Sequence, residues 1–529
     1  MKHKKYSQRS AIFFGFNFVV GFTFFISIGQ IYHFLGLWLI LALIIVATMS
    51  YAIGLSFVYL TKIYPSSYAT SYVVARSAFN RFIAFISLWS TYLQSPIVAI
   101  SSIAGMIWAF QGTDLYKHYL WVVILLAAFL FILIIFVMNH GLRASNRLLY
   151  IFSSLKWLVI LGAIAFSTIY FLYSLHDFAR IKSHIVNGNV NFSFANLCTS
   201  IMLLFLSFVG IEGTSSISAD IDNPTKTLPK VVLYTMIAGT FLYLIYFVMV
   251  LNVIGPNGPD GLYPTGTSSE TPNSINSILF TMLGGAATGG WLVLLYFIIS
   301  SQIANKCTVR TQSAWINSRV MLVLTIEGML PKRFGKINKH GQFYWCIWLD
   351  SIISGIFIIL FVVLSITNPE IINDLSNVLS AIVLSYLFIY MISVLAIMKK
   401  NYNKEINLNK KEKLWVYYAF ASMCIAIFTF IYPIISDTFD TKSSARDIVM
   451  AWFPVIFYVL GVLCGVVIFL IGKYIMNKKD THFPTSLIDF IIENPELEFY
   501  KYFPNYEQHP LYIEIESTRK QRLNGEKNN

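Results

Sequence analysis

Long apolar runs alternate with short polar ones along this chain. Runs of membrane-spanning length fall at 11–31, 37–60, 83–110, 120–138, 148–173, 196–218, 231–254, 276–304, 345–366, 374–398, 413–434 and 449–475. About 20 apolar residues in a helix cross a ~30 Å hydrocarbon core, and a helix satisfies its own backbone there. The pattern predicts an all-α integral membrane protein with twelve transmembrane helices.

Two of these runs break their own pattern. In the sixth, Asn196 to Ser207 rises ~17 Å as a helix, roughly half the hydrocarbon depth. There the chain places Ser207, Gly210, Glu212 and Gly213, then Thr214, Ser215 and Ser216. Such groups cost free energy in a bilayer unless they face protein, substrate or water. The first run, Ala11 to Tyr32, is interrupted by Gly15, Asn17, Gly21 and Thr23. Spans one and six are five apart, so they cross in opposite directions. Two interrupted spans at matching places in inverted five-helix units point to a central site between repeats. Direct similarity between the two halves is too weak to add to this.

Composition agrees with the pattern. Of 529 residues, 57% are hydrophobic and 12% charged, about half the charged share of a soluble domain. A formal charge of +13 raises the question of a nucleic-acid partner, and its distribution answers no. With the N-terminus inside, cytoplasmic segments hold 32 of the 38 Lys and Arg residues. External loops hold Lys117, Arg180, Lys182, Lys442 and Arg446, and Lys156 lies within a span. That bias predicts an N- and C-terminus both cytoplasmic in the plasma membrane.

The stretch 255–275 is rich in Gly, Pro, Ser and Thr, as a solvated connection would be. The basic N-terminus ahead of an apolar run resembles a signal peptide but has no small-residue cleavage site, so it reads as a retained helix. The five cysteines are scattered without a C-x-x-C pair, and the nine histidines show no metal-ligand spacing. No cofactor or metal is called for. G-x-x-x-x-G-K-[ST] is absent, which argues against an ATP-driven machine, and the spans hold no nucleophile–base pair for an intramembrane enzyme. A sensor would carry a large cytoplasmic domain, which the short tail does not offer.

Four ordered stretches carry a family resemblance. Phe208-Val209-Gly210-Ile211-Glu212-Gly213, continuing through Asn223-Pro224 to Leu228-Pro229, resembles the sixth-helix signature of the amino acid–polyamine–organocation superfamily. Val20-Gly21-Phe22-Thr23-Phe24-Phe25 is similar to its first-helix I-G-x-G-I-F. Asn139 to Ser145 resembles the loop before helix five, and Asn317-Ser318-Arg319 with Glu327 to Lys332 resembles the motif after helix eight.

The resemblance implies a five-plus-five inverted-repeat transporter fold plus two extra helices. By position, 1–10 is an N-terminal tail, 11–173 and 196–398 the two repeats, 413–476 helices eleven and twelve, and 477–529 a C-terminal tail. It also implies an amino acid held where helices one and six unwind. There free N–H groups suit a carboxylate and free carbonyls suit an ammonium. Carried over residue by residue, Gly21, Phe22 and Thr23 receive the carboxylate. Carbonyls of Val19, Leu206, Ser207 and Val209 receive the amino group, while Leu206 and Phe208 shape the pocket around Gly210. Thr23 stands where the family has a second glycine, and Leu206 where it often has an aromatic ring.

Each residue also has a plainer reading. Gly21 and Gly210 suit close helix packing as well as a break. Glu212 is either a structural carboxylate bonded to neighbours or a protonatable coupling group. Lys156 either snorkels to the interface or, as the resemblance implies, supplies the fixed cation of a proton-coupled transporter. Lys306 and Arg310 read as interfacial residues at the cytoplasmic end of helix eight, or else as lining of an inner vestibule.

The expectation is a secondary active transporter (permease) moving amino acids by alternating access, coupled to protons. Its partners are the amino acid, protons and membrane lipid. An exchanger or polyamine transporter of the same fold is the alternative, and a transport-inactive sensor a more distant one.

Overall fold

The computed structural model describes residues 7–20, 31, 34–36, 38–63, 70–108, 110, 114–174, 193–210, 212–213, 221–254, 291–326, 330–335, 338, 340, 342–367, 375–404, 406–439 and 445–478. In chain order the helices are α1 Gln8–Val19, α2 Trp38–Ile63, α3 Thr70–Ala78, α4 Arg81–Trp108, α5 Asp114–His118, α6 Leu120–Asn139 and α7 Leu142–Ser174. Then come α8 Phe194–Ser207, α9 Pro224–Ile254, α10 Trp291–Ile326, α11 Tyr344–Thr367, α12 Leu375–Tyr402, α13 Lys410–Phe439 and α14 Ala445–Lys478. Among the described residues there is no strand, and eight helices are long and apolar enough to cross a membrane. The loop 255–275, the tail after 479 and Gly21, Phe22 and Thr23 lie outside the described residues.

Burial sorts the helices by surroundings. On α6 the exposed residues Trp121, Leu125, Phe129, Ile132 and Phe136 follow one helical face. A face that apolar is untenable in water and suits hydrocarbon. Around α10, by contrast, every residue from 310 to 325 is buried, polar ones included.

The core has two flanks. α1, α2, α8, α9 and α13 pack on one another, and α4, α6, α10 and α11 form the other group. α7 and α12 contact both. α14 docks on α4 and α12, with the Trp89 indole N–H donating to the Gly461 carbonyl at 2.9 Å.

α10 continues to Ile326, so Lys306 and Arg310 both sit well inside it and not at its end. The apolar pattern fades after residue 304 because protein, not lipid, surrounds the helix from there on. Arg310 is fully buried and Lys306 half-buried, its stem lying against Gly105 of α4.

Candidate functional site

Two helix ends meet at the centre of the first flank. α1 starts on an N-cap at Ser7 and ends at Val19. Val20 takes φ −78° and ψ 73°, and its N–H still bonds the Phe16 carbonyl at 2.8 Å. α8 starts on Ser193, whose Oγ accepts from the Asn196 N–H at 3.0 Å, and ends at Ser207. Residues 208–210 form a turn, and Glu212 and Gly213 are helical again.

Gly210 makes that turn possible. Its φ is +119°, a conformation that residues with a Cβ rarely adopt. A Cβ there would also sit 2.8 Å from Phe18 Cδ1 and 3.3 Å from the Phe18 carbonyl oxygen. At Gly213 a Cβ would lie 2.6 Å from Phe18 Cε1. The break in α8 is thus pressed onto the last turn of α1. Gly239 of α9 holds the same junction from behind, since its open side faces Val20 and Phe208. The close-packing and helix-breaking readings of Gly210 are both correct.

Orphan carbonyls at the end of α8 find one backbone and one side-chain donor. Leu206 accepts from the Val209 N–H at 3.3 Å, and Tyr243 Oη donates to the Ser207 carbonyl at 3.0 Å. Phe208 is buried, with its ring edge-on to Tyr243 at 5.3 Å, while Leu206 and Val209 are half-buried. Ser50, Ile53, Phe205, Phe208, Val209 and Tyr390 converge beside the break and close around it, with no room for a water molecule between them.

Lys156 does not snorkel. It is wholly buried on α7, and its Nζ donates to the Val20 carbonyl at 3.0 Å. The ammonium lies at the carboxyl end of α1, where the helix dipole favours a cation. Its neighbour Trp157 stacks on Phe16 at 5.0 Å and donates to Asn17 Oδ1 at 2.7 Å, so α7 grips the last turn of α1 twice.

Glu212 is buried too. Its carboxylate turns back to accept from the Gly210 N–H at 3.2 Å and from the Tyr390 hydroxyl on α12. Among the described residues, no group of three or more His, Cys, Asp or Glu could hold a metal ion.

A family model described as amino acid permease matches residues 6–463. The chain belongs to that family. This permease is a multi-pass membrane protein built for amino acid transport. It is 25% identical over 505 residues to the uncharacterized protein MG225 of Mycoplasma genitalium, covering 90% of this chain and 97% of that one. It is 23% identical over 278 residues to the branched-chain amino acid permease BcaP of Bacillus subtilis, about half of each chain (51% and 52%). To the valine/tyrosine/tryptophan amino-acid permease 1 of Saccharomyces cerevisiae it is 23% identical over 341 residues, 64% of this permease and 51% of the relative.

The structure adds partners that the sequence reading did not include. Tyr243 reaches Ser207 and Tyr390 reaches Glu212 from helices that are distant in sequence. A buried polar cluster also stands behind α10: Arg310 Nη2 contacts Asp350 Oδ2 of α11 at 3.0 Å. Asp350 is the lone charged residue in its apolar run, and such residues inside a span need a partner. That rule was enough to flag it.

Proposed function

We propose that this permease is a secondary active transporter that moves neutral amino acids across the plasma membrane by alternating access. In this reading it has twelve spans, two inverted repeats at 11–173 and 196–398, and cytoplasmic termini. The observation that carries it is the meeting of the ends of α1 and α8, with Phe18 of α1 seated on Gly210 and Gly213 beside the α8 break. Helix ends offer a zwitterion its two complements at no extra side-chain charge: N–H groups for the carboxylate, carbonyls for the ammonium. Gly21, Phe22 and Thr23 would take the carboxylate. The carbonyls of Val19, Leu206, Ser207 and Val209 would take the amino group, with the Ser207 carbonyl also accepting from Tyr243.

The relatives' names, branched-chain amino acid permease and valine/tyrosine/tryptophan permease, support a neutral amino acid over a polyamine. The engaged state of the Glu212 carboxylate supports this too, because it leaves that charge committed to Gly210 and Tyr390 rather than to a cationic substrate.

Lys156 would couple transport to protons. With its proton, the ammonium is attracted to the carboxyl end of α1; without it, that attraction falls away and α1 is held less firmly to α7. Gain and loss of the proton at Nζ would bias the two orientations of the site.

Ligand-induced stabilisation tests the site. An amino acid at 100 times its Kd adds ~2.7 kcal/mol to the folded state and raises the thermal midpoint. Purified protein should respond to a subset of neutral amino acids, and the response should vanish in Gly210→Ala. A panel in which no amino acid shifts the midpoint, or an undiminished shift in Gly210→Ala, would overturn the assignment.

A further inference from the structure

We propose that the buried ion pair Arg310–Asp350 is a rotational pin for α10, and that Arg310, Asp350 and Ser95 are positioning residues for transport. The link to transport rests on the reading that the α1 and α8 breaks form the substrate site.

All three residues are essentially inaccessible. Arg310 Nη2 meets Asp350 Oδ2 at 3.0 Å, Ser95 Oγ of α4 donates to Asp350 Oδ1, and Arg310 Nη1 reaches Ser95 Oγ at 3.5 Å. The guanidinium carbon lies 5.1 Å from the Phe131 ring centroid on α6. One side chain of α10 thus touches α4, α6 and α11 together. Burying two charges gives back little or nothing in stability compared with apolar residues of the same volume, and its best-attested use is to fix register. A planar guanidinium fixes direction as well as distance.

The opposite face of α10 shows what needs fixing. Ser301, Asn305, Thr308 and Gln312 fall within about 60° of one another at 100° per residue, and Arg310 lies ~180° from Ser301. All four are buried. Gln312 Nε2 donates to the Phe14 carbonyl at 2.9 Å, in the turn of α1 that leads to Val20. Among the described residues, Ser301 Oγ, Asn305 Oδ1 and Gln312 Oε1 have no hydrogen-bond partner. These side chains are closed off from solvent and Thr308 Oγ1 donates to the Ala304 carbonyl of its own helix, so the bond this face must hold is the one from Gln312, and a rotation of α10 would drop that bond to α1. Apolar helix faces resist such rotation weakly; a guanidinium held by Asp350 through Nη2 and by Ser95 through Nη1 resists it strongly.

The test uses the double variant Arg310→Met with Asp350→Leu, which keeps volume and removes both charges. Thiol labelling of the native buried Cys307 on α10 reports rotation, and Cys198 on α8 is the internal control for general loosening. Labelled sites are located by peptide mapping. The pin predicts folded protein, at least a fivefold change in Cys307 labelling with Cys198 unchanged, and at least tenfold slower amino acid uptake in proteoliposomes. Wild-type uptake in the double variant, unchanged Cys307 labelling, or Cys307 and Cys198 rising together would each overturn it. Cys307 labelling needs no transport, so it separates failure of the pin from failure of the transport reading. If the double variant does not accumulate, Ser95→Ala is read the same way: a Cys307 change without a Cys198 change supports the pin, and no change overturns it.

Discussion

Gly210→Ala is the substitution whose consequences the geometry fixes most closely. Two separate costs arise. The first is backbone strain: φ +119° lies outside the regions open to alanine, at ~1–3 kcal/mol. The second is overpacking, because the new methyl would stand 2.8 Å from Phe18 Cδ1 and 3.1 Å from Cε1, at about 1–3 kcal/mol. Together they amount to ~2–6 kcal/mol, against a typical folding stability of ~5–15 kcal/mol. Gly213→Ala is the matched control. Its Cβ would crowd Phe18 Cε1 at 2.6 Å and Ile316 Cδ1 at 2.7 Å, but its φ is not in the positive region, so only the packing cost applies. Phe18→Leu removes the ring atoms and should relieve much of the Gly213→Ala defect. It should relieve only the packing share at Gly210, where the Phe18 carbonyl at 3.3 Å and the backbone strain both remain. The assay is the thermal midpoint of the four purified variants in detergent. The expected order places Gly210→Ala lowest, with partial rescue by Phe18→Leu. A Gly210→Ala midpoint equal to that of Gly213→Ala, or full rescue by Phe18→Leu, would refute the claim that the break is built on this backbone conformation.

Three further outcomes follow from the same structure. Lys156→Met loses a charge-assisted bond of about 1.5–3 kcal/mol but also a buried ammonium, so the fold should persist while uptake stops responding to a pH gradient; gradient-dependent uptake at the wild-type rate would remove Lys156 from the coupling. Tyr390→Phe and Glu212→Leu should each lower the thermal midpoint, and the double variant should lose clearly less than their sum, since both break one bond. Trp89→Phe gives up the indole bond to Gly461, about 1 kcal/mol, and should lower the midpoint while uptake per folded molecule stays unchanged.

What could be read from the sequence was whatever a bilayer makes expensive. Gly210 and Glu212 at mid-span marked the break, and the structure ends α8 at Ser207. Lys156 stood out for the same reason and is found at the end of α1. Tertiary pairing was not readable in this way. Tyr390 and Tyr243 are unremarkable aromatics in apolar runs, and only the fold brings them to Glu212 and Ser207. Arg310 had two open readings because hydropathy falls after residue 304, whereas α10 runs on through a protein interior that hydropathy cannot distinguish from a loop. Its partner Asp350 lies 40 residues away in sequence, beyond any local pattern.

The proposed passage of an amino acid through the junction of α1 and α8 is driven by a proton gradient. Uptake of labelled amino acids by purified protein in proteoliposomes, with and without an imposed pH gradient, tests both parts at once. Saturable uptake of a neutral amino acid is expected, faster with the gradient and lost in Gly210→Ala. Uptake of no amino acid, or uptake indifferent to the gradient and to Gly210→Ala, would contradict it.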